Sequence, residues 1–453
     1  MTASSSLSQE RSNRRHPAAW VPTLYFAEGI PFYIVNLLAL FFYQDMGIRN
    51  SVTTAVISML ALPWTLKPLW SPMLEMYKTK KFFVVGTQLV GGLSLVLLVL
   101  SLNMPDFFRY TVAIFAVIGF CSATHDIAAD GVYIASLTPK QQAAYIGWQG
   151  ASYNLARVFS MGALLWLVGV LSDKFARAHA AAPLVHAWMV AFGIVGLVLV
   201  ALSIYHARML PTGGEERKTE SVAQMAGTFG DVVVSFFKKP HILLLLVFIL
   251  LYRAGEGQVA KVGPLFLRAL RSSGGLEMSS TDFGRIYAVV AWGVLLGGIA
   301  AGYFVARLSL KRALTWLLLV LALPLFSYIF LSFALPVHNP VSLSFSEYLT
   351  VGAALALEQF GYGFGSVGVI LLMMQEIAPG KYQTAHYAFA NALMNLSFIA
   401  AGAVSGWIQS ILGYQHFFIW TVVCALPALI LSRFIPIHGG AQALPPLVAE
   451  QQG

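Results

Sequence analysis

Charge is what this sequence has least of. Among 453 residues only 28 are Lys or Arg and 19 are Asp or Glu, 10% in all. Soluble domains carry about 25% charged residues, and a water-facing surface for so long a chain needs far more. Three ordinary soluble domains are therefore excluded, although length alone suggests them. Cysteine is nearly absent. Cys121 and Cys424 both fall inside apolar runs, in no CxxC or metal-type spacing, which excludes a disulfide framework. The first residues are Ser-rich with Arg11, Arg14 and Arg15, and lack a short apolar core followed by a cleavage site. No cleaved signal peptide is expected. No Gly-rich phosphate loop and no long extramembrane domain are present. The net charge of +9 belongs to membrane topology, and no nucleic-acid partner is expected.

What is abundant is apolar length. The chain is 58% hydrophobic, with a mean hydropathy of +0.73. A bilayer core of about 30 Å needs roughly 20 apolar residues per helix. Twelve windows meet that requirement: 20–44, 51–74, 82–103, 107–136, 141–171, 184–208, 241–267, 281–307, 311–334, 347–376, 382–411 and 414–434. The runs are long and continuous, so they read as helices rather than barrel strands. The expected fold is an all-α membrane protein with twelve transmembrane helices.

Basic residues orient it. With the N-terminus inside, seventeen Lys and Arg fall in cytoplasmic segments and six in the opposite loops. That bias predicts cytoplasmic N- and C-termini. The longest polar interruption, 209–240, separates a six-helix half at 20–208 from a second at 241–434, with tails at 1–19 and 435–453. Within the linker, Val222, Met225, Phe229, Val232 and Phe236 recur at steps of three and four, an amphipathic helix on the membrane face.

Charged side chains inside spans are costly and mark candidate functional sites. Glu28, Asp126, Asp130 and Glu358 are the proton-coupling candidates, and Asp126 and Asp130 share one helix face. Gln149, Tyr153 and Arg157 form a polar stripe reaching mid-membrane. With Arg253, Glu256, Tyr362, Asn391 and Asn395 they are the substrate-binding candidates. Arg157 has the planar fork suited to an anionic group. Arg253 and Glu256, three apart, read equally as a pair that neutralises itself. Trp148, Tyr153, Tyr362 and Tyr387 are aromatics able to stack on sugar rings. Glu75, Lys78, Lys81 and Arg307 at tight basic turns are cytoplasmic gate candidates. Lys67, Lys261, His125 and His386 also lie within spans. Gly402 with Gly406 reads as close helix packing, and Gly361, Gly363 and Gly365 as packing or a bend. His125-Asp126 is the one dyad a membrane-embedded transferase could use, but neighbours on a helix point about 100° apart.

Several segments carry a resemblance. Tyr25-Phe-Ala-Glu-Gly-Ile-Pro31, Lys67-Pro-Leu-Trp-Ser-Pro72, Ser122-Ala-Thr-His-Asp-Ile-Ala-Ala-Asp130 and Lys381-Tyr-Gln-Thr-Ala-His-Tyr-Ala388 resemble AmpG-type permeases of the peptide/acetyl-coenzyme A transporter family. That family lies within the major facilitator superfamily, which the 6 + 6 layout also resembles. The resemblance implies a monomeric secondary transporter of the bacterial inner membrane. It implies proton-driven import of anhydromuropeptides, sugar-peptide fragments of the cell wall, with the proton gradient in place of a cofactor. Siderophore or acyl-coenzyme A transport within the same family is the alternative. The substrate site is expected between the halves, near the midplane.

Overall fold

In a computed structural model the chain is helical, with no strand among the described residues, which are 16–71, 74, 78–137, 139–213, 222–334, 344–379 and 383–437. Helix α1 runs Pro17–Asp45. Helix α2 is Asn50–Leu60 with its continuation Leu62–Leu66. Helix α3 is Lys80–Ser101 and α4 is Phe107–Ser136. Helix α5 comprises Pro139–Arg157 and Leu165–Arg177, and α6 is Pro183–Met209. The linker helix α7 is Val222–Phe237. Then come α8 (Ile242–Arg268), α9 (Ser280–Val305), α10 (Leu310–Ala334) and α11 (Phe345–Ile377). The last run, Gln383–Leu431, is broken at Gly413, whose φ of 70° and ψ of 170° no helix accommodates. It is therefore two spans, α12 (383–412) and α13 (414–431), turning at the residue best able to adopt positive φ.

Ten of these helical runs are long and apolar enough to cross a bilayer by length and composition. Dividing the last one at Gly413 and adding the interrupted α2 brings the spans to the twelve read from hydropathy. The expected continuous span 51–74 needs correcting. The helix stops at Ala61, resumes with Pro63 in its first turn, and tightens to a 3-10 turn at Lys67–Leu69. Proline lacks the N–H that would continue the hydrogen-bond ladder.

Each half packs its own helices tightly: α3 on α4 and α6, and α11 on α9 and α10. Gly361, Gly363 and Gly365 let α11 press against α10 and α9, within an unbroken helix. The halves meet along two seams, α2 with α12 and α5 with α9. At the first, the Gly406 N–H donates to Thr54 Oγ1 at 3.2 Å, and an added Cβ would lie 2.5 Å from the Asn50 carbonyl. Both seams concentrate contact toward the end where α1 stops at Asp45. There Arg268 pairs with Asp45, Asn50 donates to Tyr414 at 2.9 Å, and Phe41 packs on Phe283. Among the described residues, every hydrogen bond between the halves lies from mid-bundle to that end.

The outer faces are apolar. Trp316, Leu319, Leu323, Phe326 and Phe330 stand exposed along α10 at steps of three and four, as do Leu89, Leu93, Leu97 and Leu100 on α3. Such stripes suit hydrocarbon and not water. Helix α7 docks on the second half: Phe236 is fully buried against Phe389, and Ser235 Oγ lies 3.0 Å from His386 Nε2. Val222, Met225 and Phe229 lie outside the described side chains.

Candidate functional site

Four breaks in regular helix gather around the middle of the bundle. Helix α1 carries a π-turn at Ile34–Leu38, and α5 one at Val158–Leu164, directly after Arg157. Helix α8 is interrupted at Arg253, and α2 at Ala61. Irregular backbone inside a membrane is tolerated where it lines a cavity. Here it surrounds one of about 410 Å³ between the halves.

The first half contributes Tyr33 and Asn36 from α1, Trp64 and Lys67 from α2, Asp126 from α4, and Tyr153 and Arg157 from α5. The second contributes Arg253, Glu256 and Lys261 from α8, Tyr287 from α9, Tyr328 from α10, Glu358 and Tyr362 from α11, and Asn391 and Asn395 from α12. Nine of the residues singled out from sequence as coupling or binding candidates thus line one cavity: Asp126, Tyr153, Arg157, Arg253, Glu256, Glu358, Tyr362, Asn391 and Asn395. The helical spacing explains it. Steps of three and four along α5, α8, α11 and α12 keep each set on one face.

Other candidates lie elsewhere. Gln149 does not reach the cavity, and its Oε1 is buried without a partner. Glu28 and Asp130 sit behind Asp126, with carboxylate oxygens of all three within 4.8 Å of one another. Glu28 is therefore not the lone carboxylate that its helix alone suggests. It is 8% exposed, and its Oε2 has no hydrogen-bond partner. Asp130 accepts from the Tyr25 hydroxyl at 2.9 Å. Lys67, delivered by the 3-10 turn, forms an ion pair with Asp126. Its ammonium already supplies this acidic trio with the positive charge a metal ion would bring. Lys78, Lys81 and Arg307 do not line the cavity, and Glu75 lies outside the described residues. Trp148 and Tyr387 are not in the wall either.

Polar partners define the charges. Arg253 forks onto Glu256, Nε to Oε2 at 2.7 Å and Nη2 to Oε1 at 3.1 Å, and lies 4.3 Å from the Phe398 ring centre. The self-neutralising pair is thus formed, and it still faces the cavity. Arg157 donates from Nε to the Tyr287 hydroxyl across the half boundary at 3.1 Å. Glu358 accepts from Tyr328 at 2.7 Å. His125 and Asp126 turn to different partners. His125 Nε2 meets Gln88 at 2.8 Å, and Gln88 Oε1 meets His206 Nδ1 at 2.9 Å. This chain is buried among α3, α4 and α6. The sequence reading passed over Lys67, Lys261, Tyr33, Tyr287 and Tyr328 as site residues. A signal existed for Lys261, which lies on the face of α8 that carries Arg253 and Glu256.

Residues 23–385 match the Major Facilitator Superfamily. The chain belongs to that superfamily. Its curated relatives include proteins named as AmpG transporters. It is 21% identical over 432 residues to "Putative transporter AmpG 4" of Rickettsia conorii, covering 91% of this chain and 94% of that one. It is 25% identical over 428 residues to the "Anhydromuropeptide permease" of Escherichia coli K12, covering 90% and 77%. Among solved structures it resembles the nucleoside transporter NupG, with a TM-score of 0.69 and 12% identity, covering 91% of this chain and 98% of that one. A structure of a proton dependent oligopeptide transporter gives a TM-score of 0.64 at 16% identity, covering 91% and 96%. These last likenesses concern the fold. As a superfamily member this is a multi-pass membrane transporter of a small molecule, and its relatives are transporters rather than enzymes.

Proposed function

We propose that this AmpG-like permease imports anhydromuropeptides by proton-coupled alternating access in a bacterial inner membrane. It would work as a monomer with both termini cytoplasmic. The observation that carries the reading is the cavity between the halves, whose wall includes Asp126 of a buried acidic trio. Three carboxylates face one ammonium there, an excess of negative charge that uptake of a proton reduces. Protonation and deprotonation then shift the preference between the two open states through differential binding. Glu358, held by Tyr328, is a second proton carrier on the opposite wall.

The remaining lining suits a sugar-peptide. Tyr33, Trp64, Tyr153, Tyr287 and Tyr362 offer faces for pyranose rings, and Asn391 and Asn395 offer amides for hydroxyl and peptide groups. Arg157 and Arg253 add guanidinium donors to the wall, the second already forked onto Glu256. The relative from Escherichia coli bears the name of that substrate class. Lys78, Lys81 and Arg307, with Glu75, are proposed to gate the end nearest the termini.

The test is uptake of labelled GlcNAc-anhydro-muramyl peptide into proteoliposomes, with and without an imposed inward proton gradient. Gradient-stimulated accumulation is expected. No uptake by folded, reconstituted protein rejects this substrate and moves the question to siderophores and coenzyme A esters.

A further inference from the structure

Four cations and three carboxylates line the central cavity, and the two ion pairs among them leave two cations and one carboxylate, Glu358 on the side of Arg157, over. Lys67 is on Asp126 and Arg253 on Glu256. Arg157 and Lys261 form no ion pair among the described residues. Arg157 is partly compensated by the Tyr287 hydroxyl and by the ring faces of Tyr33 and Tyr287 at 5.9 and 5.6 Å. Lys261 is not. It is 2% exposed, and an ammonium has three donors. Its one hydrogen bond goes to the Asn36 carbonyl at 3.2 Å, with the Phe398 ring 5.8 Å away. The carboxylate that acts on it, Glu256, is already held by Arg253, and a buried cation without a counter-charge of its own is costly inside a membrane. That cost is removed when a ligand brings the anion.

The location strengthens the case. Asn36 lies in the π-turn of α1, a distortion that frees backbone carbonyls from their usual helical partners. Lys261 comes from α8, so its one bond joins the two halves. We propose that Lys261 is the anion receptor of this cavity, taking a carboxylate of the substrate while the Asn36 carbonyl holds the ammonium at the boundary between the halves. The inference rests on the cavity being the transport site and adds the charge its substrate must carry. A carboxylate bound there contacts a side chain tied to both halves, so loaded and empty carriers differ at their junction.

The experiment compares uptake of the anhydromuropeptide with free carboxylates against the same compound fully amidated. Wild type should prefer the acid by about tenfold or more, the worth of one charge-assisted hydrogen bond. In Lys261→Gln the preference should collapse to near unity, and in Lys261→Arg it should persist. A Gln variant that keeps the wild-type preference overturns the proposal. Stability of the empty protein in nanodiscs gives a second readout. Lys261→Met should raise the melting temperature, because an unpaired buried ammonium is removed; a fall would assign Lys261 a structural role instead. If wild type imports neither compound, the muropeptide reading fails, and the receptor is read with acetate at fixed ionic strength. Acetate should then raise the melting temperature of wild type and not of Lys261→Gln, and equal responses would refute the receptor.

Discussion

Replacing Asp45 by Asn tests what holds the halves together at the end remote from the termini. Asp45 Oδ1 accepts from Arg268 Nη2 at 2.6 Å, and its Oδ2 accepts from Trp188 Nε1 at 2.9 Å. The two side chains are 8% and 10% exposed. Asn keeps the shape and an acceptor for Trp188, but leaves Arg268 as a buried cation with no counter-charge. Arg268 Nε and Nη1 already lack partners. Breaking one side of a buried pair costs about 3–5 kcal/mol. That cost falls on the conformation closed at this end, since opening lets Arg268 reach water. At about 1.4 kcal/mol per tenfold, the closed state should lose a factor on the order of 10² to 10³. The assay is maleimide labelling of Thr281→Cys in a background lacking Cys121 and Cys424. Thr281 packs against Gly169 across the α5–α9 seam, so opening exposes it. Labelling should accelerate in Asp45→Asn and fall back in Asp45→Asn/Arg268→Gln, where no charge is stranded. An unchanged rate in the single variant refutes the latch.

The other predictions concern coupling and packing. Glu28→Gln or Asp126→Asn should abolish uphill accumulation while substrate counterflow survives; wild-type uphill uptake in either variant removes that residue from the mechanism. Gly406→Val places a side chain against Thr54 and the Asn50 carbonyl. It should cost about 1–3 kcal/mol of packing, read as a lowered melting temperature and faster labelling of Thr281→Cys. Gln88→Leu strips a hydrogen bond from each of His125 and His206. With roughly 1–3 kcal/mol for each buried group left unsatisfied, thermal stability should drop clearly, whereas an unchanged melting temperature would show the imidazoles re-partnered.

Much of the architecture is legible in the sequence because the bilayer is a demanding solvent. Apolar length marks the spans, including the division between 411 and 414 where the structure turns at Gly413. Backbone groups unsatisfied in hydrocarbon are too costly for alternatives to compete. The same demand makes polar residues conspicuous, so Asp126, Arg157, Arg253 and Glu358 stand out one at a time. Periodicity also shows which of them share a helix face. It does not show what stands opposite. The interruption of α2 is legible only in part: Pro63 and Pro68 announce a weakness, but not that Lys67 would swing onto Asp126.

Tertiary structure alone decided the pairings. Lys67 and Asp126 are 59 residues apart, Asp45 and Arg268 223, and Asn36 and Lys261 225. A charge's meaning depends on the counter-charge within a few ångströms, and separation along the chain carries no trace of that distance. Arg253 and Lys261 look alike as intramembrane cations on one helix. Arg253 has its carboxylate three residues along the same helix, as spacing allows; packing left Lys261 with a single carbonyl, and on that difference rests which of them awaits the substrate.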